Sequence, residues 1–202
     1  MKKIGFIGAF DKTDLILYVA RILVELQKKV LIIDSTILGR ARYTVPSISP
    51  SKCYVTEFEG MDVAIGFDNI ENIEDYLGTA QLQYDMILID IDTHEDFIGF
   101  DMENADKNYF VTSFDMFSLK KGIDIFKNVI RPMDLTKIEF AYETSKEDED
   151  YLNYISLEYR VNWNNYVFYF QILGEDNKVF EENQRLEKIR FRRLSIGYKE
   201  AL

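Results

Sequence analysis

Gly8, Asp11, Lys12 and Thr13 are the residues of this chain whose types and spacing come nearest to a definite chemistry. They lie in "GAFDKTDL" (8–15), between a short apolar run, "KIGFI", and the start of an amphipathic segment. A strand, a tight turn and a helix in that order can hold phosphate. The turn's N–H groups point inward, and the helix adds its positive end. A lysine there neutralises the outer phosphates, and the hydroxyl after it binds magnesium. The spacing G-x-x-x-x-G-K-S/T puts glycines at positions 6 and 11, which here are Phe6 and Asp11. A carboxylate at position 11 would face bound phosphate, and two like charges about 4 Å apart cost on the order of 1–4 kcal/mol at surface-like dielectrics. The same carboxylate can accept from the N–H groups that open the helix, with Asp14 in the first turn. Asp11 is therefore expected to cap the first helix and to fill the anion site itself.

The elements that must position these residues follow from periodicity. Apolar residues at Leu15, Ile16, Val19, Ala20, Ile22, Leu23 and Leu26 predict a helix within 12–28. "VLIID" (30–34) and "DMILIDID" (85–92) are near-continuous apolar runs, as in strands buried on both faces. "CYVTEF" and "MDVAIGF", on either side of Gly60, predict a hairpin or two short strands. "NIENIEDYLGTAQ" (69–81) reads as a helix and "NYFVTS" (108–113) as a strand. "SLKKGIDIFKNVI" (118–130) reads as a helix with Ser118 as its N-cap and Pro132 as its stop. "KIEFAY" (137–142) and "YVFYFQIL" (166–173) are late strands, and a polar helix with basic residues ends the chain. In the last strand, alternation puts Tyr166, Phe168, Phe170 and Ile172 on one face and Val167, Tyr169 and Gln171 on the other. Alternating strands and helices imply an α/β fold, a mainly parallel sheet with helices on both faces. With no repeat or linker in view, residues 1–202 are expected to form one domain, with a basic C-terminal segment at 185–202.

In such sheets ligands bind beyond the carboxyl ends of the strands. That rim gathers the 8–13 turn, Asp34 after the second strand, and Asp90 or Asp92 after "MILI". The carboxylates could hold magnesium through water, although strands also end in carboxylates for solvation alone. His94 is the single histidine, read as a polar loop residue with no second histidine or cysteine near it, so no metal site is expected. Cys53 is the single cysteine, which excludes an internal disulfide and reads as a buried or idle thiol. No Ser-His-Asp or Cys-His set can be assembled, and no catalytic residue is assigned.

The ordered set "KIGFIGAFDKTDLILYVARIL", "KKVLIIDST", "YDMILIDID" and "ADKNYFVTSFDMFSLKKGIDIF" resembles the ParA/MinD family of deviant Walker A P-loop ATPases. The resemblance rests on Asp34, Tyr84-Asp85, Asp90, Ala105-Asp106, Thr112 and Ser118-Leu119, and spans roughly residues 1–185. It implies the P-loop NTPase architecture, with Gly8, Asp11, Lys12, Thr13, Asp34 and Asp90 as the nucleotide-site positions. Aligned on Lys12, the family's K-G-G-x-G-K-S/T loop sets its signature lysine against Ile7 and its glycines against Gly8, Ala9 and Asp11. Ile7 supplies no cation, so cross-dimer catalysis of the family type is expected to be lost.

Composition bounds the function. Hydrophobic residues make up 47% and charged ones 29% of the chain, as in a folded globular protein. No apolar stretch approaches the roughly 20 residues that cross a bilayer, and the strand-like N-terminus argues against a secretory signal, so a cytoplasmic protein is expected. The net charge of −11 disfavours nucleic acid as a partner. The exception is "RLEKIRFRR" (185–193), five basic residues and one acidic for a local +4, which is read as a solvated helix face, with "EDED" (147–150) as a polar loop. Phe191, Leu194 and their apolar neighbours form no clean stripe, so a membrane-binding helix is not expected either. With Ile7 and Asp11 departing from the family's loop, a degenerate, non-hydrolysing protein with no cofactor is expected, and the resemblance implies that it positions or assists a larger cellular assembly as a homodimer. The alternative it implies is a slow ATPase switch using ATP and magnesium.

Overall fold

The apolar runs "VLIID" and "MILIDI" bury both of their faces, which is possible only for strands inside a sheet covered on two sides. The computed structural model describes residues 1–46, 51–113, 115–127, 129, 132–140, 146–171, 173–191 and 193–202. Strands β1 (Lys2–Ile7), β2 (Val30–Asp34), β3 (Tyr54–Phe58), β4 (Met61–Ile65) and β5 (Met86–Ile91) build one half of the sheet. Strands β6 (Lys107–Ser113), β7 (Met133–Phe140) and β8 (Val161–Phe170) build the other. The order is β3-β4-β2-β5-β1-β6-β7-β8. Every pair is parallel except β3 with β4, a hairpin turned at Glu59-Gly60, where both residues have positive φ. The hairpin alternative at Gly60 is the one the chain adopts.

Helices follow the strands. They are α1 (Thr13–Glu25), α2 (Ile70–Leu77), α3 (His94–Gly99), α4 (Met116–Asp124), α5 (Lys146–Ile155), α6 (Gly174–Leu186) and α7 (Ile196–Ala201). One face of the sheet, through Phe6, Ile32, Leu88 and Val111, packs under Leu15 and Ile16 of α1, Phe180 of α6 and Tyr198 of α7. The other, through Ile7, Ile33 and Ile89, packs under Phe97 of α3, Leu119 of α4 and Leu152 of α5. Each such side chain contributes about 1.5–3 kcal/mol by leaving water. The α/β expectation, with a mainly parallel sheet and helices on both faces, holds.

Several local expectations do not. Ser118 is not the cap of α4: Asp115 is, its Oδ1 accepting from the Ser118 N–H at 2.9 Å, because a carboxylate reaches the third helical amide. That helix ends at Asp124 rather than near residue 130. His94 is no loop residue; it opens α3 behind the Thr93 cap. Residues 147–150 fall inside α5, which forms because Leu152 buries and Tyr151 and Ile155 pack beside it. Among the described residues of the 185–193 stretch, only Arg185 and Leu186 are helical. Strand β8 begins at Val161, five residues before the expected start. Tyr142, Ile172 and the end of the 118–130 segment at Ile130 lie outside the described residues.

Candidate functional site

Strand β1 touches β5 on one side and β6 on the other, so the chain that leaves it emerges at the switch point of the sheet. Gly8 is pinned there. Its N–H donates to Ile91 O at 3.0 Å, its φ is +147°, and a β-carbon on it would stand 2.1 Å from Val111 O. No other residue type fits between the ends of β5 and β6. The loop then climbs through Ala9 and Phe10, whose ring stacks on Phe140 at 4.9 Å, to the start of α1.

The N-cap position of α1 belongs to Lys12, which makes no side-chain cap bond. Its side chain instead curls under the loop. Nζ donates to Gly8 O at 2.8 Å and lies 2.6 Å from Asp90 Oδ1, with the side chains 2% and 5% exposed. Burial raises the Asp90 carboxyl to about 7, Lys12 pulling it down and Asp34 pushing it up. Asp34 and Asp90 are register partners on adjacent strands. Asp34 turns its oxygens the other way, accepting from Thr36 N at 3.0 Å, Thr36 Oγ1 at 2.6 Å and Ala41 N at 2.8 Å. It thereby anchors the loop that follows β2 and the 3₁₀ turn Arg40–Tyr43.

Asp11 stands at the mouth. The expectation that it caps α1 is corrected in detail. It lies one residue before the cap and accepts a single helical N–H, from Thr13 at 3.2 Å. Its other oxygen pairs with Arg40 Nη1 at 2.7 Å. Asp14 in the first turn is raised to about 7 by burial and then by Asp11, with a long contact of 3.5 Å from Gln184 Nε2. A cavity of about 50 Å³ remains, lined by Asp11, Lys12, Thr13, Thr36, Arg40 and Asp90 among others. That is room for one or two waters, against the 300 Å³ or more typical of a small-molecule site.

Asp11, Lys12, Thr13 and Asp90 thus converge on one cavity, with Gly8 beneath it and Asp34 one strand away facing its own loop. Asp92 also lines it and accepts from Ile37 N at 3.1 Å. Sequence reasoning missed Arg40; its only signal was a basic residue shortly after the strand that ends in Asp34. His94 and Cys53 lie apart, bonded to Ile125 O and Gly66 O. Among the described residues no cluster of His, Cys, Asp and Glu could hold a metal ion, and no helix is long and apolar enough to cross a membrane. A larger cavity, about 520 Å³, opens at the opposite ends of the strands beside Lys29, Asp62 and Tyr84, but it gathers no nucleophile and base. In the basic stretch, Arg190 and Arg193 lie 3.8 and 2.6 Å from Glu182, which offsets part of its charge.

No protein-family model matches the chain, and no curated protein matches it. Solved structures do. A ParA family ATPase from Chlorobium tepidum TLS superposes with a TM-score of 0.64 at 15% identity, covering 99% of this chain and 95% of that one. A Cyanothece McdA variant in complex with ATP gives 0.60 at 13% identity, covering 100% and 92%. MinD from the Aquifex aeolicus MinC:MinD cell division complex gives 0.53 at 15% identity, covering 93% and 87%. The chain has the fold of these ParA, McdA and MinD structures.

Proposed function

We propose that this chain is a cytoplasmic ParA/MinD-like protein, one domain over residues 1–202, whose nucleotide loop is degenerate. It acts as a non-hydrolysing positioning or accessory partner of a larger cellular assembly. The observation that carries this reading is the Asp11–Arg40 pair across the loop's mouth. The pair sets a carboxylate where a triphosphate would lie and engages the Arg40 guanidinium. Two further features support it: Lys12 is already engaged by Asp90 and Gly8 O, and the remaining space is about 50 Å³. In this arrangement the residues present do not fit a triphosphate. Ile7, at the position of the family's cross-dimer lysine, is fully buried in β1 and supplies no cation. The structural likeness to MinD, solved in complex with MinC, fits a protein that works by docking.

Isothermal titration of the unmodified chain with Mg-ATP tests this. No heat of binding in the micromolar range is expected, and micromolar affinity overturns the reading. Asp11→Gly removes the charge at the mouth and is expected to raise nucleotide affinity by about fivefold or more, the low end of the repulsion it relieves.

A slow ATPase is the second reading, and one observation favours it. The Asp11–Arg40 pair is solvent-exposed, so displacing it costs only about 0–1 kcal/mol. Lys12, Thr13, Asp34 and Asp90 would then serve the nucleotide; the structurally similar McdA variant was solved in complex with ATP. Phosphate release that vanishes in Lys12→Ala would select this reading over the first.

A further inference from the structure

The sheet has two edges, and they are defended unequally. β3 is five residues long, carries the exposed Glu57, and is followed directly by Glu59. Short edge strands and charges are the ordinary devices that stop a sheet from recruiting another strand. β8, at the other end, is ten residues long. From Val161 to Leu173, "VNWNNYVFYFQIL", the chain carries no charged residue and no proline, although its net charge is −11. Among the described residues no strand pairs with the outer side of β8. One protective device is present, a register irregularity against β7 between Leu135 and Lys137. There Asn164 folds its carboxamide back onto the Tyr166 N–H at 3.2 Å. Pairing with β7 is regular again from Val167 to Phe170.

The edge is also apolar on its surroundings. Tyr166 is 74% exposed, and Phe168 is exposed beside it. The segment that enters β8 carries exposed Tyr154 and Leu157, and it is tied to the strand by the bond from Trp163 Nε1 to Ser156 Oγ at 2.9 Å. On the other face α7 rests on the strand through Tyr198 and Phe170, ring centroids 5.1 Å apart, and leaves Ile196 exposed. An amide ladder alone would bury less than the roughly 1,200 Å² of a stable interface, so these flanking side chains are needed to complete one.

We propose that β8 pairs antiparallel with β8 of a second copy, joining two sheets across a two-fold axis. A second copy is the occupant this edge fits, because a two-fold axis through β8 sets the uncharged strand against its own equivalent. Like-charged chains repel over most of their surface, and this uncharged strip is where two copies meet without like charges opposed. The pairing uses the outer side of β8, the third strand from β1, and requires no nucleotide, so it does not depend on the functional reading above.

Sedimentation of the full chain over a range of concentrations tests the proposal, with circular dichroism to verify folding. The apparent mass should double as concentration rises. Tyr166→Lys and Asn165→Lys, both at exposed positions, should weaken dimerisation at least about tenfold, as loss of a central interface contact does. Phe117→Lys, on the exposed start of α4 at the loop rim, should leave it unchanged. Amide exchange across 161–170 should slow with concentration in the unmodified chain. A mass that stays that of one chain at every concentration overturns the proposal. So does a dimer that the edge lysines leave intact, or one that Phe117→Lys alone dissolves.

Discussion

The floor of the β1–α1 loop and its mouth each hold one cation-to-aspartate pair, at nearly the same separation. Lys12 and Asp90 are 2.6 Å apart below, and Arg40 and Asp11 are 2.7 Å apart above. Their surroundings differ. The lower pair is sealed from water, whereas the Arg40 side chain above is 53% exposed and that of Asp11 36%. Sealed charges must satisfy each other, because neither can turn to solvent, and removing one strands the other. Exposed charges lose little by parting. Distance alone therefore does not rank these pairs; burial does. The floor sets the shape of the loop, and the mouth is where an incoming anion would compete.

The strongest way to break this contrast is to remove one member of the lower pair. Lys12→Met should cost about 3–5 kcal/mol of stability in urea unfolding, with Lys12→Met/Asp90→Leu recovering much of it. A loss under about 1 kcal/mol would put the floor pair in the same class as the mouth pair. Gly8→Ala tests the floor through the backbone. Its β-carbon would meet Val111 O, and together with the backbone strain a loss of about 3 kcal/mol is expected.

Asp14, in the first turn of α1 and within the field of Asp11 and Arg40, sharpens the comparison through pH. Burial, followed by Asp11, raises its carboxyl from 3.8 to about 7. The folded state thus keeps a proton that the unfolded chain releases near its ordinary value. Stability from this residue is full below about pH 4 and is lost as the pH rises towards 7. Asp14→Asn should match the unmodified chain near pH 4 and exceed it by about 1–3 kcal/mol at pH 8. Equal stability at both pH values would contradict that. The smallest effect belongs to the mouth: Arg40→Ala should shift stability by no more than about 0.5–1 kcal/mol. A larger loss would mean that the upper pair, too, holds the loop.

Much of this was legible in the residues. The buried runs at 30–34 and 85–92 place Asp34 and Asp90 on one rim because a strand with two apolar faces can only lie inside a covered sheet. The strand-turn-helix order places Gly8, Lys12 and Thr13 beside them. Short or polar elements were harder. Helix α5 is stabilised by Leu152 beneath it, a contact with residues far away in the chain, so its acidic start reads as loop. The cap of α4 moved from Ser118 to Asp115 because either residue can cap, and the fold settles which backbone is in place.

Local order thus determined the sheet, the rim and the residues that gather there, since apolar period and turn chemistry act over a few neighbouring positions. Only the tertiary structure decided that Arg40, 29 residues along the chain from Asp11, closes over it. It alone also turned Lys12 downward to Asp90. Those partners are chosen by distance in space and by the absence of water between them, and neither quantity is written in the order of the residues.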